Sequence, residues 1–350
     1  MGIKSVLFIR RDNIGDLVCT TAAIRALRLK RPELKVGAVV NTYNAEVVRD
    51  NPDIDEVFVY EKGKHSSGKG RLRVFADNLG LLLRVRASRY DVAIGCGYAY
   101  SARLARYTFL TGAGMRIGFA PPGRSGRGIL YNRPVPEPPT PMHEVEAMMR
   151  LVAPLGVMGP PPGIFMRPDA GEVERARTYL SRAGLKGNER LVAFHISSRK
   201  AVNRWPKERF RELGDMIGAE FPDVRILLLW SPGNSDNPLH PGDDDKAEWI
   251  MSTMKERPIA FRTKSLAELC AALSLASLVV CCDGGAMHLS AALGKPVLTV
   301  WGSTDRRRWA PWGVEHVILQ KETHEAHSVH AREAFEALKL LAASREESST

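Results

Sequence analysis

Short β-branched runs alternate with helical patterns twice along this chain, and a proline-rich interruption separates the two series. In the first series Ser5–Ile9 reads as a buried strand, 17–30 as a helix stopped by Pro32, and 36–40 as a second strand. A short helix at 46–50, a strand at 57–60, a helix at 74–86 with arginines outward, and a strand at 92–95 follow. A helix at 101–110 and a strand at 116–119 close the series. Alternation of this kind predicts a parallel sheet wound with helices on both faces. Prolines such as Pro134, Pro136, Pro138 and Pro160 then punctuate residues 121–168 around one helix at 144–155, which sets a linker near 156–168. The pattern restarts with strands at 191–195, 226–230, 278–282 and 297–301. Helices at 173–183, 207–221, 247–254, 266–275, 286–293 and 331–343 accompany them, before a polar tail. Two α/β domains with a cleft between them are expected, and ligands in such sheets bind at the carboxyl ends of the strands.

Composition narrows the function classes. The chain has 350 residues, 44% hydrophobic and 25% charged, the balance of a folded protein rather than a disordered one. No apolar run is long enough to span a bilayer, and the N-terminus lacks a signal-peptide pattern. Five cysteines without CxxC spacing argue for reduced thiols in a cytoplasmic setting. The net charge is +11, and it is lopsided: residues 1–160 hold 24 basic and 14 acidic side chains (+10), leaving +1 for the remainder. A basic first half fits a phosphorylated or carboxylated substrate, an acidic bilayer surface, or nucleic acid. No nucleic-acid recognition motif is present, so no nucleic-acid partner is expected. The dinucleotide GxGxxG and GxxxxGK[ST] loops are also missing.

Three polar segments at strand ends carry the chemistry. In Arg10-Arg-Asp-Asn-Ile-Gly-Asp-Leu17, Gly15 lets backbone approach a ligand, and Asp16 stands at a helix start as an N-cap or a general base. Asp12 reads as a turn residue. In Cys281-Cys-Asp-Gly-Gly-Ala-Met-His288, a strand ends at Asp283, Gly284 and Gly285 make the turn, and the following helix offers amides to an anion such as a pyrophosphate. His288 reads either as a buried structural histidine or as a further donor. In His195-Ile-Ser-Ser-Arg-Lys-Ala-Val-Asn-Arg-Trp-Pro206, Ser197, Ser198, Arg199, Lys200 and Arg204 supply hydroxyl and cationic donors suited to phosphates. Asp243-Asp-Asp245 reads as a loop end capping the next helix. His324, His327 and His330 lack companions for a metal site, and none is expected. The basic stretch at 62–73 suits contact with an anionic surface.

These segments resemble glycosyltransferase family 9, the ADP-heptose:lipopolysaccharide heptosyltransferases. The likeness rests on Val-Leu-Phe-Ile-Arg…Ile-Gly-Asp-Leu…Thr-Ala-Ala-Ile, on Asn-Arg-Trp-Pro-x-Glu-Arg-Phe, and on Asp-Gly-Gly-Ala-Met-His-Leu-Ser-Ala-Ala-Leu-Gly-Lys-Pro…Trp-Gly-Ser-Thr-Asp, spanning about residues 4–310. It implies a GT-B fold, two Rossmann-like domains facing a central cleft. Residues 1–165 would bind the acceptor and 166–350 the nucleotide sugar, with the last helix free to pack back on the first domain. It implies inverting transfer of a heptose or related sugar from an ADP-sugar to a hydroxyl of a lipopolysaccharide inner-core or similar anionic glycan. No metal or cofactor is implied beyond the donor substrate, and the enzyme would be cytoplasmic with peripheral contact at the inner membrane surface. By that likeness Asp16 is the catalytic base and Gly15 its backbone neighbour. Asp283, Gly285 and His288 belong to the donor site, and Ser197 and Ser198 are the hydroxyl pair near the phosphates. Two positions depart: Gly284 stands where the family usually has Ser or Thr, and Asn203 where it usually has Lys, a charge that Lys200 or Arg204 could replace. The alternative they leave open is a GT-B transferase or sugar-nucleotide epimerase using a UDP- or GDP-sugar.

Overall fold

The computed structural model describes residues 2–61, 71–121, 130–234, 236 and 241–348. The chain divides into two compact units: Met1–Arg167 with Arg307–Trp309, and Pro168–Arg306 with Ala310–Thr350.

The first unit is a six-stranded sheet. In chain order its elements are β1 (Ser5–Ile9), α1 (Ile14–Lys30), β2 (Lys35–Asn41), β3 (Glu56–Tyr60), α2 (Arg71–Ala87), β4 (Val92–Gly95), α3 (Ala102–Leu110), β5 (Met115–Ala120), β6 (Arg133–Pro136) and α4 (Glu144–Val152). All neighbours pair parallel, in the order β3-β2-β1-β4-β5-β6. Val6 pairs with Val36 on one side and Val92 on the other, and from Val6 to Ile9 every side chain of β1 is buried. A strand covered on both faces needs a continuous apolar run rather than alternation. Helices α1 and α4 pack on one face through Ile24, Leu27, Met148 and Leu151, while α2 and α3 cover the other through Leu81, Val85 and Leu104.

The second unit repeats the design. Its elements are α5 (Ala170–Arg182), β7 (Arg190–His195), α6 (Lys207–Glu220), β8 (Val224–Trp230), α7 (Asp244–Thr253), β9 (Ile259–Arg262), α8 (Leu266–Leu275), β10 (Leu278–Cys282), α9 (Gly285–Ala292), β11 (Val297–Trp301), β12 (His316–Gln320) and α11 (Ala331–Ser348); the short α10 (Arg306–Trp309), between β11 and β12 in the chain, belongs to the first unit from Arg307 on. The all-parallel order is β12-β11-β10-β7-β8-β9. In both sheets the strand order reverses beside the first strand, between β1 and β4 and between β7 and β10. The crevice at such a reversal is where open α/β sheets bind ligands, and the loops after β1, β7 and β10 are the three polar segments singled out from the sequence.

Three strands escape the sequence reading: β6, β9 and β12. All are sheet edges, where one side needs no partner and an apolar run is not required. β6 even carries Pro134 and Pro136, tolerable only at an edge or bulge. The last helix, α11, belongs to the second unit, where Ala334, Phe335, Leu338 and Leu341 complete the core around Phe210, Leu213 and Ile217. Of the basic stretch at 62–73, residues 62–70 lie outside the described residues, and Arg71–Arg73 open α2 instead of a loop. All five cysteines are buried, and none is in a disulfide. Among the described residues no helix is long and apolar enough to cross a membrane.

Candidate active site

The loop from β1 into α1 is held by its own backbone. Asn41 Nδ2 donates to the carbonyls of Arg11 (3.3 Å) and Asp12 (2.9 Å), and Asn44 Nδ2 to those of Asp12 (3.3 Å) and Asn13 (3.4 Å). Tyr60 Oη donates to the Arg11 carbonyl at 3.1 Å. The Arg11 guanidinium lies over the rings of Tyr60 and Tyr107, 5.0 Å from each centroid.

Helix α1 begins one residue after Asn13, which is its N-cap. Asp16 is therefore not the cap but the third helical residue, and its Oδ2 accepts from the Asn13 amide at 3.1 Å, half of a capping box. Its Oδ1 accepts from Arg10 Nη2 at 2.7 Å. The same nitrogen donates to Glu144 Oε1 at 2.8 Å, and Arg10 Nε pairs with Asp12 at 3.2 Å. The Arg10 guanidinium is almost wholly buried and the Glu144 carboxylate fully so. Burial opposes the arginine's charge, but Glu144, Asp16 and Asp12 more than offset it and push its pKa up. The second Glu144 oxygen accepts from Arg308 Nε at 2.9 Å, and Arg308 stacks on Tyr98 at 3.8 Å. The result is a chain of alternating charge, Asp16–Arg10–Glu144–Arg308. It leaves Asp16 partly exposed (13%) with its carboxylate plane fixed by two donors. Gly15, on the same turn, is buried.

In the second unit Asp283 follows β10. Its Oδ2 accepts from Asn203 Nδ2 and Thr304 Oγ1, each at 2.7 Å, and its carbonyl accepts from Ser198 Oγ at 3.2 Å. Burial pushes the Asp283 carboxyl pKa up, against the lowering effect of Thr304, Lys200 and Asn203. Gly284 has φ +155°, a conformation open to glycine, and a Cβ there would meet nothing within 4 Å. Backbone geometry rather than crowding thus requires glycine. The amides opening α9 follow at once. His288, one turn in, is buried.

Asn203 is a knot rather than a missing charge. Besides Asp283 it donates to Thr304 (3.2 Å) and accepts from the Gly302 amide (3.0 Å). A Cβ on Gly302 would come within 2.2 Å of the Val202 carbonyl. Trp205, fully buried, donates to the Val329 carbonyl at 2.9 Å and pins the loop to the core.

The remaining predicted donors separate. Ser198 and the exposed Lys200 stay beside Asp283, whereas Arg204 pairs with Asp243 and donates to the Ser198 carbonyl at 3.1 Å. Ser197 Oγ accepts from the Ser231 amide at 2.9 Å and also bonds Asp243. Asp243 is the N-cap residue of α7, but its side chain makes no capping hydrogen bond and instead joins this cluster, where burial raises its carboxyl pKa. Lys246, half-buried, donates to the carbonyls of Ile196 (2.9 Å) and Trp205 (2.7 Å). Arg204, Lys207, Asp243 and Lys246 line a pocket of about 300 Å³. Among the described residues no cluster of three metal-ligating side chains occurs.

Comparison with known proteins decides the class. The sequence matches Glycosyltransferase family 9 (heptosyltransferase) over residues 79–339. The chain belongs to that family. This family 9 member is 23% identical to "Lipopolysaccharide heptosyltransferase 3" of Escherichia coli K12, over 87% of this chain and 84% of that one. To "Lipopolysaccharide heptosyltransferase 1" of the same strain it is 22% identical, over 96% and 99%. A family 9 glycosyl transferase from Veillonella parvula superposes with TM-score 0.82 at 20% identity, covering 97% of each chain. The E. coli heptosyltransferase WaaC with ADP gives 0.78 at 20% identity, covering 96% of this chain and 99% of that one. The chain is thus a glycosyltransferase with the GT-B fold, built from two Rossmann-like units.

Sequence reasoning passed over Arg10, Glu144, Arg308, Asn41, Asn44 and Thr304. Arg10 closes a buried strand, and Glu144 opens a helix next to His143; each is an ionisable residue bordering an apolar run, the one signal that could have flagged them. Arg308 lies far along the chain from its partner and gave none.

Proposed function

We propose that this glycosyltransferase moves a heptose, with inversion, from an ADP-activated donor to a hydroxyl of a lipopolysaccharide inner-core or similar anionic glycan. The observation that carries this reading is Asp16, a partly exposed carboxylate at a strand-order reversal, oriented by Arg10 and the Asn13 amide. Support for the sugar and the acceptor class comes from relatives named as lipopolysaccharide heptosyltransferases, and for the nucleotide from the E. coli WaaC structure with ADP.

The acceptor binds on the first unit, whose sequence carries most of the net positive charge. An Asp16 oxygen takes the acceptor hydroxyl's proton. The hydroxyl oxygen attacks the anomeric carbon from the face opposite the nucleotide, and the bond from that carbon to the diphosphate oxygen breaks with inversion. The departing diphosphate gathers negative charge at the amides of Gly285 and Ala286, on the positive end of α9. Lys200 and the Ser198 hydroxyl add donors beside it, while Asp283 holds the turn. Arg204 and Ser197 shape the neighbouring pocket through Asp243 rather than meeting the phosphates directly.

Asp16→Asn tests the reading. It should lower kcat by about 10²- to 10⁴-fold and leave ADP-sugar affinity within about twofold, because only the proton transfer is lost. Near-normal turnover would remove Asp16 from this role. Binding selective for UDP or GDP over ADP would keep the fold and move the donor.

A further inference from the structure

Helix α2 is apolar on two faces. Val74, Leu81 and Val85 point into the first unit's core. On the opposite side Leu72 (87% exposed), Phe75 (68%), Leu79 (46%) and Leu83 (58%) follow one another at spacings of three and four, a single stripe on a helix. A helix that needed only to cover its sheet would carry polar residues there. The same layer continues into α3, whose final residues Phe109 and Leu110 are about half exposed. Arg86 bridges the two helices by donating to the Leu110 carbonyl at 3.3 Å.

The charges around this stripe are predominantly positive. Residues 71–87 contain four arginines and one acidic residue, Asp77. Arg73, Arg84 and Arg86 are exposed on α2, and Arg103 and Arg106 on α3. A basic amphipathic helix with Leu and Phe on its apolar face is the arrangement that lies in the plane of an anionic bilayer. Self-association is disfavoured by the same charges. A two-fold dimer through this face would set its arginines against each other, whereas acidic headgroups neutralise them.

We propose that the outer face of α2 and α3 docks this enzyme on an anionic lipid surface, with the α2 stripe buried at the headgroup–acyl boundary. α2 and α3 cover the sheet face opposite α1, the helix that carries Asp16, so the proposal stands or falls independently of the donor and acceptor assignments.

The test is co-sedimentation of the full chain with vesicles of phosphatidylcholine alone or with one-third phosphatidylglycerol. Wild type should bind the anionic vesicles, and several-fold less at 0.5 M salt as screening shortens the reach of the arginines. Leu79→Glu/Leu83→Glu should bind at least about tenfold more weakly. Both positions are solvent-exposed, so the thermal transition should stay within about 2 °C of wild type. Arg73→Gln/Arg84→Gln should lose the preference for anionic lipid and keep any residual apolar binding. Equal binding by Leu79→Glu/Leu83→Glu overturns the proposal, as does absence of binding by wild type. A concentration-dependent dimer that disappears in Leu79→Glu/Leu83→Glu, with no vesicle binding, would assign the face to a second copy of the chain and overturn it equally.

Discussion

Glu144→Gln attacks the buried charge chain at its middle. The carboxylate is fully buried and accepts from Arg10 at 2.8 Å on one oxygen and from Arg308 at 2.9 Å on the other. At an effective dielectric of about 20, unit charges about 4 Å apart attract by about 4 kcal/mol. Glutamine keeps one carbonyl acceptor but loses the charge, and its amide group turns donors toward a guanidinium. Arg308 is 31% exposed and can recover water, so its share of the loss is small; Arg10, 2% exposed, cannot. Removing one partner of a buried pair costs about 3–5 kcal/mol. Arg10 retains Asp16 and Asp12, which points to the lower end, about 3 kcal/mol. For a unit of this size that is a drop of about 6–12 °C in Tm. The functional effect follows from one atom: Arg10 Nη2 serves both Glu144 and Asp16, so releasing one bond frees the guanidinium to rotate away from the other. Small misplacements of a catalytic group cost up to about 100-fold. A kcat loss of about 10- to 100-fold is therefore expected, with donor KM within about twofold. Circular-dichroism melts and steady-state kinetics on the same preparation read both effects. A Tm within 2 °C of wild type together with unchanged kcat would refute the reasoning, since it would mean that the chain of charges neither stabilises the unit nor orients Asp16.

Two other perturbations probe the second unit. Asn203→Ala strips donors from Asp283 and the acceptor from the Gly302 amide in a buried site; it should cost about 2–3 kcal/mol, read by urea denaturation, and raise donor KM. A loss below about 0.5 kcal/mol would show that the knot is loose. His195, buried at the end of β7 beside Lys246, has its pKa lowered to about 4, chiefly by burial and then by the lysine's charge. The unfolded chain binds this proton near pH 6.5 and the folded chain only near 4, so the contribution is complete above pH 6.5 and fades as pH falls toward 4. Tm measured across that window should fall less steeply in His195→Gln than in wild type; parallel curves would exclude His195 as the source.

What the sequence showed and what it hid divide along physical lines. β1, β7, β10 and β11 are central, covered on both faces, and written as unbroken apolar runs. The edge strands β6, β9 and β12 carry no such demand and went unread. Asp283 and the glycine turn were legible because a polar residue at the end of a buried strand has few structural reasons to be there, and Asp16 because it follows a glycine at a helix start. Their supports were not. Glu144 and Arg308 are separated from Arg10 by long stretches of chain, and only the folded sheet brings them together. The Asn203 position illustrates the limit from the other side. As text it looked like a lost cation; in space its amide satisfies three partners at once, a role that turns on geometry rather than charge. Arg204 likewise reads as a free phosphate ligand until Asp243 is seen to occupy it.

The loop that precedes α1 is gripped chiefly by its carbonyls, through Asn41, Asn44 and Tyr60. Its path is thereby insulated from its own sequence. Arg11, whose side chain rests on the rings of Tyr60 and Tyr107, can be exchanged while the helix start and the Asp16 carboxylate remain where they are, whereas Asp12 is tied to Arg10. It gives the engineer one position, Arg11, at which a side chain can be varied on a backbone that does not follow.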